Sequence, residues 1–155
     1  MATPSGLPPS IAYTAHVTEG FRTFDHTGDL GLEVWAGTPE RLYALAAEAL
    51  LAQVVEAGFG APEVRVTLDL EGDDARDLMV HWLNSALLES ELRQAVWTRA
   101  DVHSLSERAL SGTLAGPRRD PLRQVFLREV KAVSHHFLAL ALEPGRCRCR
   151  VILDI

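Results

Sequence analysis

Cys147-Arg148-Cys149-Arg150-Val151-Ile152-Leu153-Asp154-Ile155 closes the sequence and reads as a β-strand with two chemically different faces. Successive side chains of a strand point to opposite sides, so Cys147, Cys149, Val151, Leu153 and Ile155 share one face while Arg148, Arg150, Ile152 and Asp154 share the other. Asp154 is therefore expected to point away from the cysteines. Just upstream, Glu143-Pro144-Gly145-Arg146 has the composition of a tight turn, which makes the last strand the second arm of a hairpin. The first arm is expected over Val130 to Leu142, although periodicity alone leaves a helix open there.

Farther toward the N-terminus, Gly31 to Ala36 alternates apolar and polar residues, and Val64, Val66, Leu68 and Leu70 alternate with Arg65, Thr67, Asp69 and Glu71. Both are strand patterns. Between them, Thr38-Pro39-Glu40 supplies an N-cap, a proline at the first helical position and an early acid, and Leu42, Ala46, Ala49 and Leu50 follow at helical spacing. The pattern predicts a helix from Pro39 to Glu56, stopped by Gly58. Asp74 caps a second predicted helix to about Glu91, with Leu78, Trp82, Leu83, Ala86 and Leu87 as its apolar stripe. Two more strands are expected over Val96 to Ser104 and Ala109 to Leu114. Gly116 to Pro121 reads as a polar loop, and Leu122 to Arg128 as a short helical turn. The expected fold class is α+β: a mostly antiparallel or mixed sheet with two main helices packed on it, in a single compact domain.

At 155 residues the chain has room for one domain with one substantial core. Met1 to Gly20, with Pro4, Pro8 and Pro9 and no basic start or apolar run, reads as a disordered tail rather than a signal peptide, leaving 21–155 as the folded domain. No stretch approaches the roughly 20 apolar residues of a membrane span. A net charge of −6 argues against direct nucleic-acid binding, which needs a basic footprint to displace counterions. Arg118, Arg119 and Arg123 make only a small basic patch. The two cysteines, Cys147 and Cys149, have neither disulfide nor C-x-x-C zinc spacing, and a reducing cytoplasm is the simplest compartment.

The candidate chemistry lies in acids. Asp29, in Phe24-Asp25-His26-Thr27-Gly28-Asp29-Leu30-Gly31, and Asp154, beside the carboxylate of Ile155, are hard oxygen donors of the kind calcium, magnesium or manganese takes. They act together only where the first and last strands lie side by side. Asp29 also reads as a turn residue bonding its own backbone, and Asp154 as a solvated acid paired with Arg148 or Arg150. A nitrogen-rich centre of His26, His135 and His136 has no H-x-x-x-H or H-E-x-x-H spacing behind it. His26 is better placed to hold the Asp29 loop. Lys131 is a candidate for phosphate or partner contact, with a solvated strand lysine as the plain reading.

From Phe21 to Ile155 the sequence resembles the archease family. Phe24 to Gly31 looks like its opening motif, with Gly28 where the family usually has alanine. Thr38 to Ala47 and Leu78-Met79-Val80-His81-Trp82-Leu83-Asn84 are similar to its two helices. Val130-Lys131-Ala132-Val133-Ser134-His135-His136 resembles Val-Lys-Ala-Val-Thr-Tyr-His, and Val151 to Ile155 resembles its terminus. The resemblance implies a divalent-metal site of Asp29, Asp154 and Ile155, with calcium the favoured ion; His136, like His26 and Lys131, is a candidate for supporting that site or for partner contact. It also implies a non-enzymatic protein that activates an RtcB-type RNA ligase, promoting guanylylation of the ligase histidine and repeated turnover in tRNA splicing or RNA repair. Ser134-His135 departs from Thr-Tyr, and Gly116 to Arg128 lacks a histidine common in the family. A stand-alone metal-dependent hydrolase or nuclease is the alternative, with Asp25 and His26 as its nearby bases; a chaperone-like module would need an exposed apolar patch.

Overall fold

The computed structural model describes residues 18–56 and 60–155. The expected tail therefore lies outside the described residues up to Val17, and Gly58 does too. Among the described residues, two main antiparallel sheets, a two-stranded ribbon and two helices make up the fold. Strands β1 (Gly20–His26), β2 (Asp29–Ala36), β8 (Ala132–Glu143) and β9 (Arg146–Asp154) form the first sheet in the order β1-β2-β9-β8. Strands β4 (Val64–Glu71), β5 (Arg99–Leu105) and β6 (Ala109–Gly116) form the second in the order β4-β6-β5. The predicted α+β architecture is observed, and every strand pairing among the described residues is antiparallel.

Helix α1 (Pro39–Val54) begins where Thr38 Oγ1 accepts from the Arg41 N–H at 3.1 Å, and α2 (Ala75–Arg93) begins where Asp74 Oδ1 accepts from the Asp77 N–H at 2.8 Å. Each cap satisfies one of the free donors of a helix start. Helix α1 packs against β2 and β9 of one sheet and β5 of the other, which explains why ten of its residues, from Leu42 to Val54, are buried. Helix α2 lies against β8 on one side and β4 and β6 on the other. The core aromatic residues are hydrogen-bonded through their polar ends: Trp82 Nε1 donates to the Tyr43 carbonyl at 2.7 Å and Trp97 Nε1 to the Ala86 carbonyl at 3.0 Å.

Several boundaries differ from expectation: Gly20, placed in the expected tail, opens β1, Gly116, placed in the expected loop, ends β6, and three other differences have a local cause. Helix α1 stops at Val54 instead of Glu56, because Val55 turns extended (φ −138°, ψ 131°) and pairs, with Glu56, as the two-residue strand β3 (Val55–Glu56) against β7 (Val125–Phe126). Leu122 to Arg128 is only partly a helical turn: Arg123 and Gln124 donate to the Asp120 carbonyl, and the chain then becomes β7. Val96 and Trp97 precede β5 as buried irregular chain, so that strand starts at Arg99.

Strand β9 follows its predicted parity. Cys147, Cys149, Val151 and Leu153 face the core at 1% exposure or less, while Asp154 is exposed. The cysteines are apolar filling: burial pushes the Cys149 thiol up to about 12, so it stays protonated and is neither nucleophile nor ligand.

Candidate functional site

The β1–β2 hairpin turns through Thr27 and Gly28, whose φ of +78° suits a residue without Cβ. Asp29 is thereby the first residue of β2, directly opposite His26. Strand β2 pairs with β9 from Ala36↔Cys147 to Leu30↔Leu153. One further step in this register sets Asp29 opposite Asp154, and residues directly opposite in an antiparallel ladder project from the same face. That face is turned away from the helices, since Leu32 and Val34, which alternate with Gly31 and Glu33, form the core side. Asp25 pairs with Leu30 and so takes the opposite face from Asp29.

On the same face as Asp29, Phe24 stands opposite Gly31 and packs its ring against it; a Cβ there would come within 2.2 Å of the ring. The Arg150 guanidinium stands 4.4 Å from the Phe24 centroid. Glu33, only 6% exposed, receives Arg22 Nε at 2.7 Å, with Arg150 Nε at 3.8 Å from its other oxygen. Arg150 therefore serves Glu33 and Phe24, and neither Arg148 nor Arg150 has an ion pair to Asp154 among the described residues.

The six residues singled out from sequence share one end of the first sheet to different degrees. Asp29, Asp154 and His26 share its outer face, and Ile155 follows Asp154 as an exposed residue. His26 Nδ1 is buried without a hydrogen-bond partner and lies 3.8 Å from Asp29 Oδ2, too far to be holding that carboxylate. The Lys131 N–H donates to the Asp154 carbonyl at 2.7 Å, but its side chain lines a separate cleft with Leu87, Glu91 and Arg119. His136 lies in an interruption of β8, with its ring 3.9 Å from that of Phe137, and the Phe137 ring meets His26 edge-on at 5.3 Å. His135 turns away, to within 2.9 Å of Asp77 Oδ1. The three histidines therefore do not converge.

The donor chemistry fits a hard divalent cation. Two carboxylates brought together at this end would repel unless a cation or solvent lay between them, and the orphaned His26 nitrogen beside Asp29 leaves that end of the sheet under-satisfied. Among the described residues no three side chains of His, Cys, Asp or Glu form a metal cage, so a cation here would depend on Asp29, Asp154, a chain-terminal carboxylate and water.

Sequence reading missed Asn84 and Phe137. Asn84 Nδ2 donates to the Val133 carbonyl at 3.0 Å and Asn84 Oδ1 accepts the Val133 N–H at 2.8 Å, closing the free edge of β8. Phe137 is 63% exposed with φ +58°, a conformation rare for a bulky residue.

Comparison with known proteins identifies the fold and the family. Residues 21–155 match the Archease protein family (MTH1598/TM1083). The chain is 31% identical over 134 residues to protein archease of Methanopyrus kandleri, covering 84% of this chain and 96% of that one. It is 24% identical to protein archease of Sulfolobus acidocaldarius, covering 87% and 98%. The solution structure of protein 1598 of Methanobacterium thermoautotrophicum superimposes with a TM-score of 0.69 at 27% identity, covering 88% of this chain and 99% of that one. A crystal structure from Thermotoga maritima, described as an archease and possible chaperone, shares the fold with a TM-score of 0.59 at 19% identity, covering 86% and 96%. With the match running from β1 through Ile155, and so through both acids of the outer face, this chain belongs to the archease family.

Proposed function

We propose that this protein is a non-enzymatic activator of an RtcB-type RNA ligase, working in the cytoplasm by presenting a cation at the Asp29–Asp154 end of its first sheet to the ligase active site. The observation that supports the reading is the β2–β9 register, whose continuation one step past Leu30↔Leu153 would set Asp29 opposite Asp154 on the outer face of the sheet. Where the chain ends at Ile155, its carboxylate would add a third anionic donor. Calcium, magnesium and manganese all suit such oxygens, and calcium suits best a site whose geometry is loose and partly completed by water. With so few protein ligands the affinity should be weak, on the order of 10⁻⁴ to 10⁻³ M. Divalent charge bound here would supply electrostatic stabilisation to the triphosphate and departing pyrophosphate of guanylylation.

A stand-alone hydrolase fits less well. Asp25 lies on the wrong face to serve as base beside Asp29, and the net charge of −6 disfavours holding RNA without a partner. One observation favours a chaperone-like second reading: Leu88, Leu92, Val125, Phe126 and Leu127 are exposed, and Leu88 and Phe126 border one cleft of about 490 Å³.

The test is single-turnover guanylylation of the cognate ligase with wild type, Asp29→Ala, Asp154→Ala and a C-terminally extended chain, with circular dichroism as the folding control. Stimulation is expected to vanish in both alanine variants and to fall in the extended one, while calcium binding by calorimetry falls in parallel. Folded alanine variants that stimulate normally refute the cation mechanism. RNA cleavage by the protein alone would favour the hydrolase.

A further inference from the structure

Between Ser134 and Ala139 the β8–β9 ladder shifts: five steps along β8 (Ser134 to Ala139) face two along β9 (Ile152 to Arg150), so three residues of β8 are extra. His135, His136 and Phe137 are those residues, all exposed, and Leu138 returns to the core at 4% exposure. An insertion of this kind in a strand re-aims side chains.

The insertion is tied down at every step. His135 Nε2 meets Asp77 Oδ1 of α2 at 2.9 Å, the His136 N–H donates to Ser134 Oγ at 2.9 Å, and Arg76 Nη2 donates to the Leu138 carbonyl at 2.9 Å. Phe137 sits at the crest with φ +58°, where a side chain bearing Cβ is strained. Its ring rests on His26 and His136 and leaves most of its surface in solvent. A large apolar ring held in a strained backbone over two imidazoles contributes nothing to the core, which Leu138 fills. Exposed aromatic residues of low conformational freedom are typical anchors of protein interfaces.

We infer that Phe137, backed by His26 and His136, is the anchor that enters an apolar socket on the partner protein, and that this socket carries a basic rim facing Asp29 and Asp154. The inference rests on the reading of an RtcB-type ligase as that partner. Charge decides among occupants. A nucleobase brings phosphates toward Asp29 beside the ring's own support, His26, and a second copy would bring like-charged ends together; a protein socket edged with arginine or lysine complements both acids.

Phe137→Gly is the decisive variant, because glycine adopts φ +58° without strain and the substitution removes the whole ring. Affinity for the cognate ligase, measured by calorimetry in calcium, is expected to fall by at least about 30-fold, the loss typical of an anchor residue, while the melting temperature holds or rises. Phe137→Leu should lose less affinity, since part of the apolar volume remains. A glycine variant that binds within about threefold of wild type overturns the anchor and leaves the activator reading standing. Loss of affinity together with a large drop in melting temperature also overturns it, making the ring a structural residue. Guanosine monophosphate binding that depends on Phe137 would reassign the ring to a nucleobase, and a wild-type dimer split by the variant would reassign it to self-association. Failure of wild type to bind the ligase at all refutes the partner reading and the anchor with it.

Discussion

Asn84→Ala should loosen the strand that displays the site. Strand β8 is an outer strand of its sheet, and at Val133 its unpaired edge is closed by the Asn84 amide alone, which both donates to the carbonyl and accepts the N–H. Val133 is 3% exposed, so truncation leaves two backbone polar groups without partners in a place water scarcely reaches. At roughly 1–3 kcal/mol for each orphaned group, less what relaxation recovers, the expected cost is about 2–4 kcal/mol. For a domain of this size each kcal/mol shifts the melting temperature by about 2–4 °C, so a drop of roughly 5–15 °C is expected in a thermal melt. Asn84→Asp separates the hydrogen bonds from simple packing. The neutral acid can still donate to the Val133 carbonyl and the carboxylate cannot, so folding raises the introduced acid above its ordinary value of about 4. Its stabilising contact is then present below about pH 4 and lost as pH rises through the raised folded-state value, so the deficit against wild type grows with pH. A melting temperature for Asn84→Ala within about 1 °C of wild type, or an aspartate deficit that grows on acidification, would refute the reasoning.

Gly31→Ala should displace the Phe24 ring from the outer face and with it the Arg150 contact, costing about 1–3 kcal/mol in denaturant titration; an unchanged midpoint would show that the ring was not packed there. Asp77 is held below the usual carboxylate range, first by the Asp73 N–H at 2.8 Å and then by His135. Because that contribution exists above the unfolded value and is lost as pH falls through the depressed one, Asp77→Asn should melt lower than wild type at pH 7 and converge with it as acidification protonates the folded-state carboxyl; a gap that stays constant on acidification would count against the pairing.

Much of this molecule could be read locally. The alternation along Cys147 to Ile155 correctly turned Asp154 away from the cysteines, and Thr38-Pro39 and Asp74 marked where both helices begin, because strand parity and helix capping depend on residues within a few positions of one another. The insertion in β8 was also written in the sequence, though missed: the inward apolar positions change from odd at Val133 to even at Leu138, Leu140 and Leu142, which a regular strand cannot do. Other features depend on partners distant in sequence. The end of α1 is set by Phe126, whose pairing draws Val55 into an extended strand against the helical pattern, and Asn84 matters only because β8 is an outer strand. The meeting of the start of β2 with the end of β9 belongs to the same class. Each acid alone is an ordinary turn or chain-end residue, and only the β2–β9 register, fixed as Leu32, Val34, Val151 and Leu153 are buried together, brings the first residue of β2 and the last of β9 to the same end of one sheet.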